Sequence, residues 1–472
     1  MRQLKLASAL LVLTTLSWAA PPGKLDFPPL KYSPPKIERA VLKCGATVFL
    51  LPDHELPLIN LSAMVRTGSM FEPADKTGLA GLAGSLLRGG GTLTRSREEM
   101  DELLEFIGAS VETGMDVESA AASLSCLKKD FSKTLGIFSD VLQNPAFSVK
   151  KLEIEKAKVI EAIRRRNDEP FDIARRQYRL AIYGPSHPLS RTPEIPEIRS
   201  ISRADLAEFH KKYYKPGNMM IAVSGDFESA EMIRSLDSAF SGWTGGSVEF
   251  PKVEGVNPQM QARAGARQVI CAEKDLNQSS LILGHLGIKR HNPDRFALEI
   301  MNEILGGNSF TSRLYKEIRT RLGLAYWVGS NFSEPWDLGT LAAGCQTKSQ
   351  TLGKTARTVL AEMKRITQEE VTEAELKFAK DSTINSFVFR FATPHAIVSQ
   401  KMSLEYFGFP ADYLETYTGK IRRVSAGDVL AAAKKYLHPD KMVLVAVGNK
   451  KDFDVPLEEF GQVKTADLTI AE

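Results

Sequence analysis

Metal binding and nucleophilic catalysis need His, Cys, Asp or Glu placed so that several side chains converge on one point. The chain has seven histidines: His54, His187, His210, His285, His291, His395 and His438. None stands three or four residues from another, so no helix face offers two of them to one ion. A surface or capping role is expected for each. The four cysteines, Cys44, Cys126, Cys271 and Cys345, form no C-x-x-C pair, which disfavours a zinc ribbon or a redox motif. They are expected to be buried free thiols in strand-like contexts, with one or two disulfides open in an oxidising compartment. A net charge of +4 over 472 residues gives no reason to expect nucleic acid or an anionic membrane as partner.

The elements that would position such groups alternate between two periods. Ile59, Leu61, Ala63 and Val65 alternate with Asn60, Ser62, Met64 and Arg66, the pattern of a half-buried strand. Ser96 and Glu99 form a capping box ahead of a helix whose apolar face is Met100, Leu103, Leu104 and Ile107, and Gly108 sits where its C-terminal cap belongs. Strands followed repeatedly by helices predict an α+β fold. A hydrophobic content of 43% with 25% charged residues suits a globular body with a large core, and the length suits more than one domain.

One unit occurs twice. Ser202, Asp205, Lys211, Lys212, Tyr213, Pro216 and Gly225 return as Ser425, Asp428, Lys434, Lys435, Tyr436, Pro439 and Gly448, each 223 positions later. A second block, Leu152, Lys156, Pro170 and Ile173, returns as Leu376, Lys380, Pro394 and Ile397, each 224 later. Two blocks at nearly one offset imply duplication. Each half is expected to close with a helix, a Pro-bearing turn and a central strand.

The chain divides accordingly. Residues 1–20 read as a signal peptide: Arg2 and Lys5, an apolar stretch from Leu6 to Leu16, then Ser17-Trp18-Ala19, with cleavage after Ala19 or Ala20. That stretch falls short of the ~20 apolar residues of a membrane span. A Pro-rich arm covers 21–36, the first unit 37–240, a Gly- and Pro-rich linker 241–267, the second unit 268–450, and a weakly ordered tail 451–472.

The stretch from Thr77 through Gly81, Gly84 and Ser85 to Arg95 resembles the zinc-site helix of the pitrilysin/insulinase metallopeptidases, the inverzincins, which carry H-x-x-E-H there. Ser96 to Val111 resembles that family's next helix and turn, and Arg319-x-x-x-Gly323-Leu324-Ala325-Tyr326 its second-half Arg/Tyr pair. The resemblance spans nearly the whole mature chain. It implies two tandem α+β units, each a mainly antiparallel sheet packed with helices, forming half of a clamshell.

It also implies that the hydrolytic site is gone. Two His one turn apart and a third ligand hold the metal, and a Glu takes the proton of the bound water. Here those positions are Gly81 and Ser85 for the two His, Gly84 for the Glu, and Ala162 for the third ligand. Glu161 is adjacent, but one step along a helix turns a side chain by roughly 100°. Glu155 stands where the family often keeps a supporting carboxylate, or is an exposed helix Glu. Gly inside a helix costs about 1 kcal/mol relative to Ala. Gly81 and Gly84 therefore either admit a close neighbour (a helix, a bound peptide or a partner subunit) or record drift after the metal was lost.

No catalytic or metal-binding residue is therefore assigned. Arg319 and Tyr326 carry over position for position as a substrate-binding pair that steadies peptide backbone and oxyanion. The alternative is an Arg on a helix face and a Tyr packed in the following strand. Gly306 and Gly307 are expected either to shape a substrate-facing loop or to cap a helix. Some two-chain members divide the labour, one subunit carrying zinc and the other the Arg/Tyr pair. This chain resembles the second kind: an exported, periplasmic or secreted non-catalytic subunit without a cofactor of its own. Its expected partners are a zinc-bearing homologue and an unfolded peptide. The alternatives are a structural or peptide-binding scaffold and an active peptidase with a non-standard site.

Overall fold

A computed structural model describes residues 35–256 and 267–472. The leader expected over 1–20 and nearly all of the arm over 21–36 lie outside the described residues, as does most of the linker after Val256. The first half contains strands β1 (Glu38–Val41), β2 (Thr47–Pro52), β3 (Leu58–Val65), β4 (Ser110–Met115), β5 (Ala120–Leu127) and β6 (Met219–Gly225). Its helices are α1 (Leu79–Gly89), α2 (Arg97–Ile107), α3 (Phe131–Gln143), α4 (Val149–Arg164), α5 (Pro170–Tyr183), α6 (Ile195–Ser200), α7 (Arg203–Tyr213) and α8 (Ser229–Ala239). The second half contains β7 (Gln268–Glu273), β8 (Gln278–Leu286), β9 (Ala325–Phe332), β10 (Thr340–Lys348), β11 (Val443–Gly448) and β12 (Gln462–Thr465). Its helices are α9 (Arg295–Asn302), α10 (Leu352–Ile366), α11 (Glu373–Phe387), α12 (Pro394–Tyr406), α13 (Tyr413–Arg423) and α14 (Ala426–Tyr436).

The duplication is visible in strand order. The first sheet runs β1-β2-β6-β3-β5-β4 and the second β12-β7-β11-β8-β10-β9, so five strands of each occupy equivalent places. Both sheets are mixed. The strand closing each half, β6 or β11, pairs parallel to β2 or β7 and antiparallel to β3 or β8. The helices that precede these strands start alike. Ser202 accepts from the Asp205 amide and Ser425 from the Asp428 amide, and both are complete capping boxes.

The edge strands differ, and here the expected weakly ordered tail is corrected. β12 lies inside that tail and pairs parallel to β7, whereas its counterpart β1 precedes β2 and runs antiparallel to it. An unpaired sheet edge leaves a row of backbone groups without partners, and the tail supplies them. It then crosses to the first half: Asn167 donates to the Leu468 carbonyl at 2.8 Å, and Ile470 packs on the first core.

The halves also exchange helices. On α5, Ile173, Ala174, Tyr178 and Ile182 bury against Ile270, Ile282, Val445 and Val447 of the second sheet. On α12, Val398 and Met402 bury against Phe49, Leu51 and Ala222 of the first sheet. These helices begin with the duplicated prolines Pro170 and Pro394, each in the first turn, where its missing N–H costs nothing. The four cysteines are free thiols; Cys126, Cys271 and Cys345 are buried. Among the described residues no helix is long and apolar enough to cross a membrane.

Candidate functional site

Helix α1 packs against α4 and lies on β4. Its N-terminus has no side-chain cap of its own, because Gly78 occupies that position in the left-handed region. The buried Glu72 carboxylate substitutes, accepting the Ala80 amide at 2.9 Å; burial raises its pKa above the ordinary carboxylate value. Leu79, Leu82, Ala83, Leu86 and Leu87 fill the core. Gly81 and Ser85, one turn apart, face outward, and Ala162 on α4 is exposed as well.

Gly84 is different. It is buried, and a Cβ there would sit 2.7 Å from the Met115 Cβ and 2.8 Å from the Met115 amide nitrogen. The glycine lets β4 lie directly on the helix, and the Thr113 hydroxyl donates to the Gly84 carbonyl at 2.9 Å. The close neighbour allowed by these glycines is thus a strand of the same half, and only at Gly84. A Cβ on Gly81 would meet nothing within 4 Å.

These residues do not fit a zinc ion. Gly81 and Ala162 have no donor atom, Ser85 has a lone hydroxyl, and the position of the general base is filled by β4. Glu155 is paired with Lys158 at 2.6 Å. The histidines are dispersed. His395 lies between the hydroxyls of Ser62 and Ser224, at 2.8 and 3.1 Å. His285 accepts the His438 amide, and His210 bonds the Leu142 carbonyl. His187 is stacked on Tyr183 beside Asp337, and burial lowers its pKa. Among the described residues no group of three or more His, Cys, Asp or Glu could hold a metal.

Arg319 and Tyr326 come together. The Arg319 guanidinium carbon lies 4.7 Å from the centre of the Tyr326 ring and 5.0 Å from that of Tyr315, so aromatic rings flank the cation. Arg319 has no hydrogen bond or carboxylate partner among the described residues. Two local irregularities produce this. Tyr315–Arg321 is a π-helical stretch, a form frequent at functional sites, and it carries both Tyr315 and Arg319. On β9, Ala325 pairs with Thr347 and Trp327 with Gln346, which leaves Tyr326 as the extra residue of a bulge. Tyr326 is 82% exposed, so it is not packed into its strand.

Gly306 holds the wall behind them. It belongs to a second π-helical turn, Glu303–Gly307, and a Cβ there would come within 2.6 Å of the Ser330 amide on β9. This is a close approach of helix to strand, neither a cap nor a loosened loop, and it repeats the Gly84 contact 222 positions later. The nearby aromatic residues were not foreseen as site residues. Phe310 is 71% exposed and touches Tyr315 edge-on, and Trp327 meets Phe171 of α5 at 5.4 Å. Only the spacing of Tyr315, four before Arg319, was a usable signal.

Between α5 and the open face of the second sheet lies a concavity of about 780 Å³. Phe171, Arg175 and Arg179 line one side, and Trp327, Ala342 and Gly344 the other.

The insulinase (peptidase family M16) model matches residues 48–192 and the peptidase M16 inactive domain model residues 200–383. An uncharacterized zinc protease of Rickettsia bellii is 25% identical over 405 residues, covering 84% of this chain and 93% of that protein. One from Mycobacterium leprae is 27% identical over 337 residues, covering 70% and 74%. Among solved structures, a peptidase M16 inactive domain from Pseudomonas fluorescens superposes with a TM-score of 0.79 at 27% identity, covering 88% of this chain and 98% of that one. A protease from Helicobacter pylori gives a TM-score of 0.79 at 20% identity, covering 88% and 100%, which speaks to the fold alone.

Proposed function

This chain belongs to the M16 peptidase family, and on that premise we propose that it is an exported, non-catalytic subunit that binds extended peptide and completes the active site of a zinc-bearing partner. The observation that carries the reading is the contrast between two sites in one chain. The metal positions are glycine, serine and alanine, with Gly84 closed by β4. The Arg319/Tyr326 pair is assembled, Tyr326 is exposed, and among the described residues Arg319 has no hydrogen bond or carboxylate partner. The similarity to an M16 inactive domain structure agrees with it.

The chemistry follows from the donors. A guanidinium offers five N–H groups in a plane and accepts nothing. With aromatic rings against the cation, its edge is left to meet a peptide carbonyl. A partner's zinc chemistry would place negative charge on that oxygen, and Arg319 with the Tyr326 hydroxyl would donate to it. The exposed Phe310 and Trp327 offer apolar surface to flanking side chains.

The test mixes the purified chain with a zinc-bearing homologue and follows cleavage of an unstructured peptide. Hydrolysis should rise on mixing, and Arg319→Ala should lower kcat by about 10²-fold, the size seen when an oxyanion donor is removed. Tyr326→Phe should lower it by less. Full activity in both variants would sink the assignment. Stable association without any gain in hydrolysis would favour a scaffold.

A further inference from the structure

The lining of the interior concavity has a charge pattern that peptide binding alone does not require. Beside Ala162, at the vacant third-ligand position, lies a recess of about 410 Å³. Its wall carries Arg165, Arg166, Arg175, Arg176, Arg179 and Arg191. Arg175, Arg179 and Arg191 also line the larger concavity that reaches Trp327, so the two spaces share one wall. Two carboxylates reach the combined lining, and both are already paired: Asp172 with Arg175 at 2.8 Å, and the half-buried Glu334 with Arg295 at 2.9 Å; Arg165 and Arg166 pair with Asp168 and Glu194 outside it.

Three of these cations have no carboxylate partner. Arg176 donates to the Arg166 carbonyl and the Asn167 side chain. Arg191 donates to the Ser69 and Glu72 carbonyls, and its buried Nε has no partner among the described residues. Arg179 is exposed and has no hydrogen bond or carboxylate partner among the described residues. Arg175 and Arg179 stand four apart on α5, where like charges repel and cost helix stability. Burial, and then the neighbouring Arg166, disfavour the charge on Arg176, and Glu194 and Asp172 only partly offset them. A recess with six guanidinium groups, three of them without a carboxylate pair, is complementary to carboxylates, which arginine binds in forked pairs.

We propose that this arginine-lined recess binds the carboxylate side chains of an acidic peptide, and so selects acidic segments for the site that Arg319 and Tyr326 mark. The proposal rests on the peptide-binding reading above and names its substrate class. The two sites have different jobs. Arg319 addresses backbone carbonyls, which every peptide has. Arg175, Arg179 and their neighbours address side-chain charge, which distinguishes one peptide from another.

Fluorescence anisotropy on the full chain tests it, with three labelled peptides of one length: Glu-rich, neutral and Lys-rich. The Glu-rich peptide should bind at least about tenfold more tightly than the Lys-rich one at low salt, and the gap should narrow at high salt. In the Arg175→Ala/Arg179→Ala variant the ratio of Glu-rich to neutral affinity should collapse towards one. Both side chains are exposed, and an unchanged melting temperature would show that the fold survives. Equal binding of all three peptides, or an unchanged ratio in the variant, overturns the proposal. So does a polyphosphate chain that displaces the Glu-rich peptide at lower concentration than unlabelled Glu-rich peptide does. Binding of all three peptides that is lost in Arg319→Ala, with no charge preference, would remove only the acidic selectivity. Binding of none would remove the parent reading too.

Discussion

Two glycines on one helix have opposite reasons to be there. Gly81 is exposed, helical and free of neighbours, so Gly81→Ala should stabilise by roughly 0.5–1 kcal/mol through backbone entropy alone. Gly84→Ala gains the same propensity but drives a methyl against Met115 and the β4 backbone. Overpacking of this kind costs about 1–3 kcal/mol, so the net effect should be a loss. Urea unfolding of the two variants measures both signs, and a Gly84→Ala protein as stable as Gly81→Ala would contradict the contact. Restoring His at 81 and 85 with Glu at 84 and 162 should fail to give stoichiometric zinc on metal analysis, because Glu at 84 must displace β4.

The element carrying Arg319 is held by an ion pair outside the site. Arg313, 5% exposed, donates to both oxygens of Glu375 at 2.7 and 2.9 Å. Glu375 also closes the capping box of α11 with Thr372. Burial pushes the Glu375 carboxyl up, but Arg313 and the Thr372 hydrogen bonds outweigh it and hold it down at about 2. A carboxylate whose folded pKa is depressed adds stability that is complete above its unfolded pKa, about 4.3, and is lost as pH falls toward the folded value. Glu375→Gln leaves Arg313 buried without its counter-charge, at a cost of roughly 3 kcal/mol near pH 6. The difference between variant and wild type should shrink by pH 3. A difference independent of pH would mean the pair does not hold this segment. The β9 bulge was not legible in the amino acids: Ala325-Tyr326-Trp327 reads as unbroken strand, and only the register against Gln346 and Thr347 reveals Tyr326 as the inserted residue.

Across the whole molecule the exchanged helices make the halves interdependent. Without α5 the second sheet exposes Ile270, Val445 and Val447, and without α12 the first exposes Phe49, Leu51 and Ala222. Residues 37–240 and 268–472 expressed separately should therefore be insoluble or molten, and co-expression should restore a soluble complex. Ile173→Ala, a fully buried truncation on α5, should cost about 2–5 kcal/mol and lower a single cooperative transition. A soluble half with its own sharp unfolding transition would show that the exchange is dispensable.

What the amino acids determined on their own was local or repeated. The capping boxes at Ser96, Ser202 and Ser425 are made within one turn of chain, and the period-two strand at Leu58–Val65 depends on neighbours only for its partner. The duplication was readable because both copies keep the same helix, turn and central strand at one offset. Residue types alone also showed that Gly81, Gly84 and Ala162 offer no ligand atoms. Tertiary structure decided everything that depends on who meets whom across long sequence separation: that β4 fills the place of the general base, that Tyr315 and Tyr326 flank Arg319, that the tail becomes an edge strand, and that each half lends the other a helix. It also gathered Arg165 and Arg166 from the turn after α4, the arginines of α5, and Arg191 around one recess. A sequence records periodicity along an element but not the wall that closes over it.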